Sequence, residues 1–136
     1  MKLFDDFCAA LDEMKINYKN MLNQDDRNIV LIGLSADNYS GINVFIIFDG
    51  KSAQIKCFEI CKFSEDKNLI MLQTVNKLNC DYRWVTFSVT PEGKVGASID
   101  VDINETTSAT DIISKLSRIN NIMDLAYPVI MKALYV

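Results

Sequence analysis

The sequence of 136 residues contains no histidine. Histidine is the commonest general base at neutral pH and the commonest protein ligand of zinc. Its absence excludes every catalytic triad built on imidazole and makes hydrolytic or metal-dependent chemistry much less expected. No other residues of the chain form a catalytic set, so the sequence predicts a protein that is not an enzyme and that holds no cofactor.

Positive charge is also scarce. The chain has 14 lysines and arginines against 18 aspartates and glutamates, a formal net charge of -4, and its only arginines are Arg27, Arg83 and Arg118. Proteins that bind nucleic acid need a basic patch to neutralise phosphates, and proteins that bind anionic membrane surfaces need one too. We therefore expect neither a nucleic acid nor a membrane as the partner.

No apolar run approaches the ~20 residues that span a bilayer. The first six residues carry two aspartates where a signal peptide needs an apolar core, so the expected location is the cytoplasm. Cys8, Cys57, Cys61 and Cys80 form no C-x-x-C pair and are too sparse for a disulfide framework. They are predicted to be reduced and mostly buried thiols.

The strongest pattern lies near the end of the chain, where apolar residues recur at alternating spacings of four and three. This spacing predicts one long helix with a face directed at the core. Ser108 and Asp111 form a capping-box variant just before it, and Pro128 predicts either a kink or the start of a new helix. Because the pattern stays in phase across Pro128, a kink is favoured. The apolar positions are Ile112, Leu116, Ile119, Met123, Ala126, Ile130 and Ala133.

The upstream chain divides into short elements with different periodicities. Alternating or continuous apolar runs predict strands, and apolar residues at helical spacing predict helices. Residues 17–26 fit either a short strand or a loop. The predicted helices cover residues 3–16, residues 65–78 and, from Ile112 onwards, the last part of the stretch 107–136. The predicted strands cover 28–36, 42–48, 53–63, 83–90 and 94–103. This order, helix, three strands, helix, two strands, helix, indicates one α+β domain over residues 1–136, with a five-stranded antiparallel sheet packed by helices.

Two of these elements carry specific predictions about their faces. In the helix over residues 65–78, spacing by three predicts a common face for Leu69, Leu72, Val75 and Leu78. In the strand over residues 53–63, alternation predicts a common face for Ile55, Cys57, Glu59 and Cys61. Glu59 between two thiols could form a reactive site, but an exposed strand position or a buried hydrogen bond is the more frequent reason for such a glutamate.

Two short motifs resemble ligand sites and fail on inspection. Asp100, Asp102, Asn104 and Asp111 follow the spacing of a calcium loop, yet position six of that loop is Glu105 instead of glycine. Outward-facing acids on a strand explain the spacing better. Residues 50–52, Gly-Lys-Ser, end like a phosphate-binding loop, but the required first glycine is a phenylalanine, so a hairpin turn is predicted instead.

One segment is a candidate partner-binding surface. The only tryptophan, Trp84, follows Arg83 and leads into a strand whose polar face carries Thr86 and Ser88. Tryptophan and arginine are frequent anchors at protein interfaces. The alternative is a tryptophan that closes the edge of the core. A position of Trp84 on the open face with Thr86 and Ser88 would favour the partner surface.

Three features of the chain carry a family resemblance: the order of its elements, the segment Tyr82-Arg83-Trp84-Val85-Thr86-Phe87 and the segment Asp124-x-x-Tyr127-Pro128-x-x-Met131-Lys132-Ala133-Leu134. In these features the chain resembles the YbjN family of bacterial sensory transduction regulators. The resemblance extends from about Phe4 to Leu134. It implies a type III secretion chaperone-like fold, a curved antiparallel sheet packed by helices, commonly paired into a homodimer, and no established catalytic residues. The second helix departs from the pattern through Asn76, Lys77 and Asn79, which counts against dimerisation if that helix forms the contact.

The expected function is therefore a non-enzymatic cytoplasmic module, a regulator or chaperone-like protein that binds a protein partner and forms a homodimer. It would bind through an open sheet face or an exposed strand edge. The alternative is a small-molecule sensor or minor enzyme with its site between the sheet and the final helix, because a kink at Pro128 could leave a cavity there.

Overall fold

The computed structural model describes residues 2–22 and 27–136. All the strand pairs in this part of the chain are antiparallel, and the sheet order is β1-β2-β3-β4-β6-β5. The predicted α+β class and order of elements are confirmed. The elements are α1 (Lys2–Glu13), β1 (Lys19–Leu22), β2 (Asn28–Leu34), β3 (Ile42–Phe48), β4 (Ser52–Lys62), a 3-10 turn (Glu65–Lys67), α2 (Asn68–Asp81), β5 (Thr86–Val89), β6 (Lys94–Asp102) and α3 (Ala109–Tyr135).

The sheet of the described chain has six strands, one more than the sequence predicted. The additional strand is β1, which pairs with β2 from Lys19 opposite Leu31 to Leu22 opposite Asn28. A strand of four residues is too short to show an alternating pattern. The sequence of residues 17–26 therefore did not distinguish a strand from a loop. The polar cluster at 23–26 lies outside the described residues.

The helices cover one face of the sheet. All seven residues of the apolar stripe on α3 are buried, as the periodicity predicted. Phe7 and Leu11 of α1 are fully buried, and the sheet meets the helices with alternate residues of each strand, among them Val44, Ile55 and Ile99. On the opposite face Phe45 and Ile47 are only half-buried, and Phe58 is exposed.

Helix α3 continues through Pro128 from Ala109 to Tyr135, so the predicted alternative of a break is wrong. Proline has no N–H, which leaves the carbonyl four residues earlier, that of Asp124, without its usual helical donor. The Asn38 side-chain amide donates to this carbonyl at 3.1 Å. The Asn38 backbone N–H also donates to the Asp124 carboxylate at 2.8 Å. A loop 86 residues away in sequence therefore replaces the hydrogen bond that Pro128 removes.

The same loop, residues 35–41 between β2 and β3, holds α3 at a second point. The Tyr39 hydroxyl donates to the Asn120 side-chain oxygen and lies 3.1 Å from the Asn120 backbone carbonyl. Asn120 in turn donates to the Ser35 carbonyl at 3.2 Å. The Tyr39 ring packs against Tyr127 with centroids 5.5 Å apart. Burial, with a smaller contribution from the Asp124 carboxylate, raises the pKa of Tyr39.

Helix α2 presents a different face to the core from the one predicted. Its buried residues are Met71, Thr74, Val75 and Leu78, whereas Leu69 and Leu72 are 68% and 48% exposed. Because a helix turns 100° per residue, positions three apart drift by about 60° at each step. Four leucine or valine positions at that spacing wrap half way round the helix, so they cannot share one buried face.

Strand β4 contains a bulge that breaks its predicted alternation. Cys57 is opposite Ala97 and Cys61 is opposite Val95, so four steps on β4 match two on β6. The common face predicted for Ile55, Cys57, Glu59 and Cys61 is therefore wrong for Glu59, whereas Cys61, opposite the buried Val95, stays on the face of Cys57. The extra residues push Glu59 out to the surface, where it pairs with Lys94 at 3.3 Å.

Helix α1 ends earlier than residue 16, the predicted limit. Lys15 has a φ of 60°, and the Ile16 N–H donates back to the Leu11 carbonyl at 2.9 Å. This left-handed turn terminates the helix in the way that a glycine commonly does. The residue after the last full turn, Met14, is consequently 53% exposed.

Candidate partner-binding surface

Trp84 lies at the surface just before β5 begins. Its side chain is 64% exposed, so the alternative of a tryptophan that closes the core is wrong. Its φ of 78° is in the left-handed region, which bulky residues rarely adopt. The neighbouring Val85 is buried. The chain therefore enters β5 through a sharp turn that places an indole ring outside the core.

Two cations of α3 lie over the Trp84 ring. The Lys115 Nζ is 5.4 Å from the ring centroid and the Arg118 Cζ is 5.1 Å from it. Both distances fall within the range of cation–π attraction. Lys115 and Arg118 are three residues apart on α3, so they project from the same side of the helix. These contacts orient an exposed ring without burying it.

Two grooves meet at Trp84. The larger, about 590 Å³, is shallow and open, runs along α3 and is mostly apolar, with Ile113, Ser117 and Ile122 in its wall. The smaller, about 330 Å³, lies between Trp84, the end of β6 and the first turns of α3, with Asp100 in its wall. We call Trp84, Lys115, Arg118 and the walls of these grooves the Trp84 surface.

The structure divides the four residues that the sequence assigned to a partner surface. Thr86 and Ser88 are opposite Ser98 and Gly96 and lie on the sheet face away from the helices. Trp84 turns towards α3 because its left-handed backbone interrupts the alternation. Arg83 is exposed. Trp84 and Thr86 therefore do not share one face, although all four predicted residues are accessible to solvent.

Sequence reasoning missed Lys115 and Arg118. Both are polar positions between the apolar positions of α3, where charged residues are ordinary. Their approach to Trp84 depends on the chain turn at residue 84, which no local pattern indicated. A weak signal was present, since the polar side of α3 carries two cations three residues apart.

The motifs that resembled ligand sites have structural roles. Asp100 accepts a hydrogen bond from the Gln54 side chain at 3.0 Å. Asp111 accepts one from the Ser108 N–H at 2.8 Å, as the capping box predicted. Gly50, with φ 97°, is part of the tight turn between β3 and β4. Within residues 2–22 and 27–136, no group of three acidic or thiol side chains could hold a metal ion.

The cysteines are unpaired, as expected. Cys8 and Cys57 are buried, Cys61 is half-buried and Cys80 is exposed, so the prediction of mostly buried thiols fails at Cys80. Burial raises the pKa of Cys57 to about 11. The exposed Glu59 also removes the reactive arrangement of a carboxylate between buried thiols.

Comparison with known proteins places this fold. The model of the YbjN family, described as "Putative bacterial sensory transduction regulator", matches residues 4–130. The chain belongs to the YbjN family. No curated protein matches it in sequence. In the described part of the chain, no helix combines the length and apolar character needed to cross a membrane.

Two solved structures share the architecture of this YbjN-family chain. One is YbjN from E. coli, described as "a putative transcription regulator", with a TM-score of 0.67, 5% identity, and coverage of 93% of this chain and 88% of that one. The other comes from the ExsC–ExsE complex, with a TM-score of 0.50, 10% identity, and coverage of 99% and 96%. The fold is thus type III secretion chaperone-like, as the family resemblance implied.

Proposed function

We propose that this YbjN-family protein is a non-enzymatic module that binds another protein, as a regulator or a chaperone-like interaction protein. The observation that carries the proposal is the exposed Trp84 ring, oriented by Lys115 and Arg118 where two grooves meet. A large, preoriented aromatic side chain loses little entropy on binding, which is why tryptophan and arginine dominate interface energetics. The free thiols suit a reducing compartment, and the proposed location is the cytoplasm.

The shared architecture supports a partner-binding role without identifying the partner. The structure of ExsC was determined as a complex with ExsE, so a chain of this fold can present a surface to a second protein. Fold alone does not transfer function. The proposal for this chain therefore depends on its own Trp84 surface.

The Trp84→Ala variant tests the proposal by affinity capture from the source cell and quantitative mass spectrometry. Removing an interface anchor costs about 2 kcal/mol or more, which corresponds to a loss of roughly 30-fold in affinity. The matched control is Phe58→Ala, which removes an exposed aromatic side chain from the opposite face of the sheet. Capture should be lost only in the first variant. Equal capture by both variants would overturn the proposal.

We further propose that the protein forms a homodimer through its helical layer, with the contact on α2 in its first turns, before the polar residues Asn76, Lys77 and Asn79. Leu69 and Leu72 of α2 are exposed, and so are Leu125 and Val129 of α3, which packs against α2. These residues are spaced three and four apart, so each pair forms a short apolar ridge on its helix. Burying such ridges between two copies would remove them from water.

Light scattering tests the dimer against the monomer mass of 15.4 kDa. At tens of micromolar the protein should have about twice this mass, and Leu72→Glu should return it to the monomer. Met14→Glu is the matched control, since Met14 is equally exposed on a different helix. A monomeric wild-type protein would refute the dimer and leave the partner-binding proposal intact.

A further inference from the structure

The last residues of β6 extend beyond the end of β5. The pairing between the two strands starts with Thr86 opposite Ser98, whereas β6 continues to Asp102. On its other side β6 pairs with β4 as far as Ser52 opposite Asp102. Residues 99–102 therefore have a strand neighbour on one side only. On the other side the Asp102 carbonyl accepts a hydrogen bond from the Thr107 hydroxyl at 3.3 Å, so the backbone groups of Asp100 are the ones left open.

The hydrogen-bonding groups of Asp100 point to the free side. In an antiparallel sheet successive residues direct their N–H and C=O groups to alternate neighbours. The Lys94 carbonyl accepts from the Thr90 N–H at 2.9 Å on the β5 side, whereas the Ile103 N–H donates to the Lys51 carbonyl on the other side. Asp100 is an even-numbered residue of β6, as Lys94 is, so its backbone N–H and C=O groups point to the β5 side.

Trp84 keeps this edge open. If β5 continued backwards in register, Trp84 would be opposite Asp100 and would satisfy its backbone groups. The left-handed backbone at Trp84, with φ 78°, turns the chain away instead. The result is the groove of about 330 Å³ between the indole ring, the edge of β6 and α3. In the described part of the chain, no backbone hydrogen bond fills this side of Asp100.

The charges around the groove select the occupant. The lining of this groove carries the carboxylates of Asp100, Asp102 and Asp111 and one cation, Lys115, while Arg118 lines the other groove at Trp84. A residue directly opposite Asp100 or Asp102 on an added strand would lie on the same sheet face as that carboxylate, where opposite charges attract. The alternate residues of the added strand would lie on the side of Ile99 and Val101, beside the Trp84 ring. The complementary segment therefore alternates basic and apolar residues.

We propose that the free edge of β6 at residues 99–102 takes up an extended segment of a partner protein, with alternating basic and apolar side chains, by strand addition. This inference rests on the proposed partner-binding function and specifies how the partner is held. Backbone hydrogen bonds to Asp100 supply the attachment, and the carboxylates with Trp84 supply the selectivity.

Trp84 provides a direct readout, because it is the only tryptophan in the chain. The probes are nine-residue synthetic peptides that alternate lysine and valine, with a glutamate and valine peptide of equal length as the charge control. The lysine peptide should change the Trp84 emission in a saturable way and protect the Asp100 amide from hydrogen exchange. The glutamate peptide should bind at least tenfold more weakly.

The Asp100→Pro and Asp100→Ala variants separate the backbone from the side chain. Both remove the carboxylate, but only proline removes the outward N–H, a donor that the pairing with β4 does not use. The lysine peptide should bind to Asp100→Pro at least tenfold more weakly than to Asp100→Ala. A lysine peptide with N-methylated amides along one edge makes the same test on the wild-type chain, whether or not the proline variant folds.

Three outcomes would overturn strand addition: no binding of the lysine peptide, equal binding by the proline and alanine variants, or equal binding of the glutamate peptide. A change of oligomeric state in Asp100→Pro alone would also overturn it, because the edge would then be filled by a second copy. A different result refutes the proposed function: normal capture of the partner by Trp84→Ala. If Trp84→Ala loses the partner while Asp100→Pro keeps it, the function stands and strand addition is wrong.

Discussion

Two aromatic side chains contact α3, and they differ in almost every physical respect. Tyr39 is 8% exposed and is held by hydrogen bonds to Asn120 and by the ring of Tyr127. Trp84 is 64% exposed and is oriented by two cations. A buried aromatic residue with a satisfied hydroxyl stabilises the fold. An exposed aromatic residue with no role in the core is available for a partner. The contact of α3 with Tyr39 therefore stabilises the fold, and its contact with Trp84 is proposed to serve partner binding.

The largest expected effect is on stability at Tyr39. Tyr39→Ala removes a buried ring and its hydrogen bond, and should lower the free energy of unfolding by about 3 kcal/mol. Trp84→Ala loses two exposed cation–π contacts and should lower it by about 1 kcal/mol. Urea denaturation of both variants checks the difference. Similar losses in the two variants would remove the distinction between the two contacts.

The next effect concerns the substitute hydrogen bond at Pro128. Asn38→Ala should cost about 1–2 kcal/mol in the wild-type chain, because it leaves the Asp124 carbonyl without a donor. In a Pro128→Ala background the helix supplies its own N–H, so the same change should cost about 1 kcal/mol less. A double-mutant cycle measures this coupling. Additive effects would show that Asn38 does not compensate for the proline.

A smaller effect depends on pH. Because the folded protein raises the pKa of Tyr39, the unfolded chain loses this proton first as the pH rises through about 10. The stabilisation is complete below that pH and is lost above it. Urea denaturation at pH 8, 10 and 11 should show wild-type stability falling more steeply than that of Tyr39→Phe. Parallel curves would mean that Tyr39 ionises equally in both states.

The smallest effect is spectroscopic and concerns Trp84. Lys115 and Arg118 beside the ring raise the preference of quenching for iodide over caesium, and the carboxylates of the nearby groove lower it. Arg118→Gln should reduce this preference, and acrylamide, which is neutral, should quench both proteins alike. Gln73→Ala, a change at an exposed polar position on α2, is the control. An unchanged preference in Arg118→Gln would place the cation away from the ring.

Local patterns predicted the architecture where the signal lies within a few residues. The stripe on α3 and the capping box at Ser108 are such signals, and both are confirmed. The bulge in β4, the short strand β1 and the buried face of α2 depend on neighbours distant in sequence. So does the donation from Asn38 to Asp124, which allows α3 to pass through Pro128.

The candidate site was predicted in its central residue and missed in its surroundings. The pairing of an arginine and the only tryptophan pointed to residues 83 and 84, yet alternation assigned Trp84 to the face of Thr86 and Ser88. A positive φ at Trp84 changed its side, and no residue type at that position indicates such a turn. Lys115 and Arg118 could be identified only after the turn was known.

The fluorescence of Trp84 reports whether this side chain contacts the partner. Once affinity capture has identified a partner, the purified partner, or a tryptophan-free version of it, is titrated into the wild-type protein while the Trp84 emission is recorded. We expect a saturable spectral shift whose midpoint matches the affinity measured by calorimetry. Calorimetric binding of the partner with unchanged Trp84 emission would contradict it.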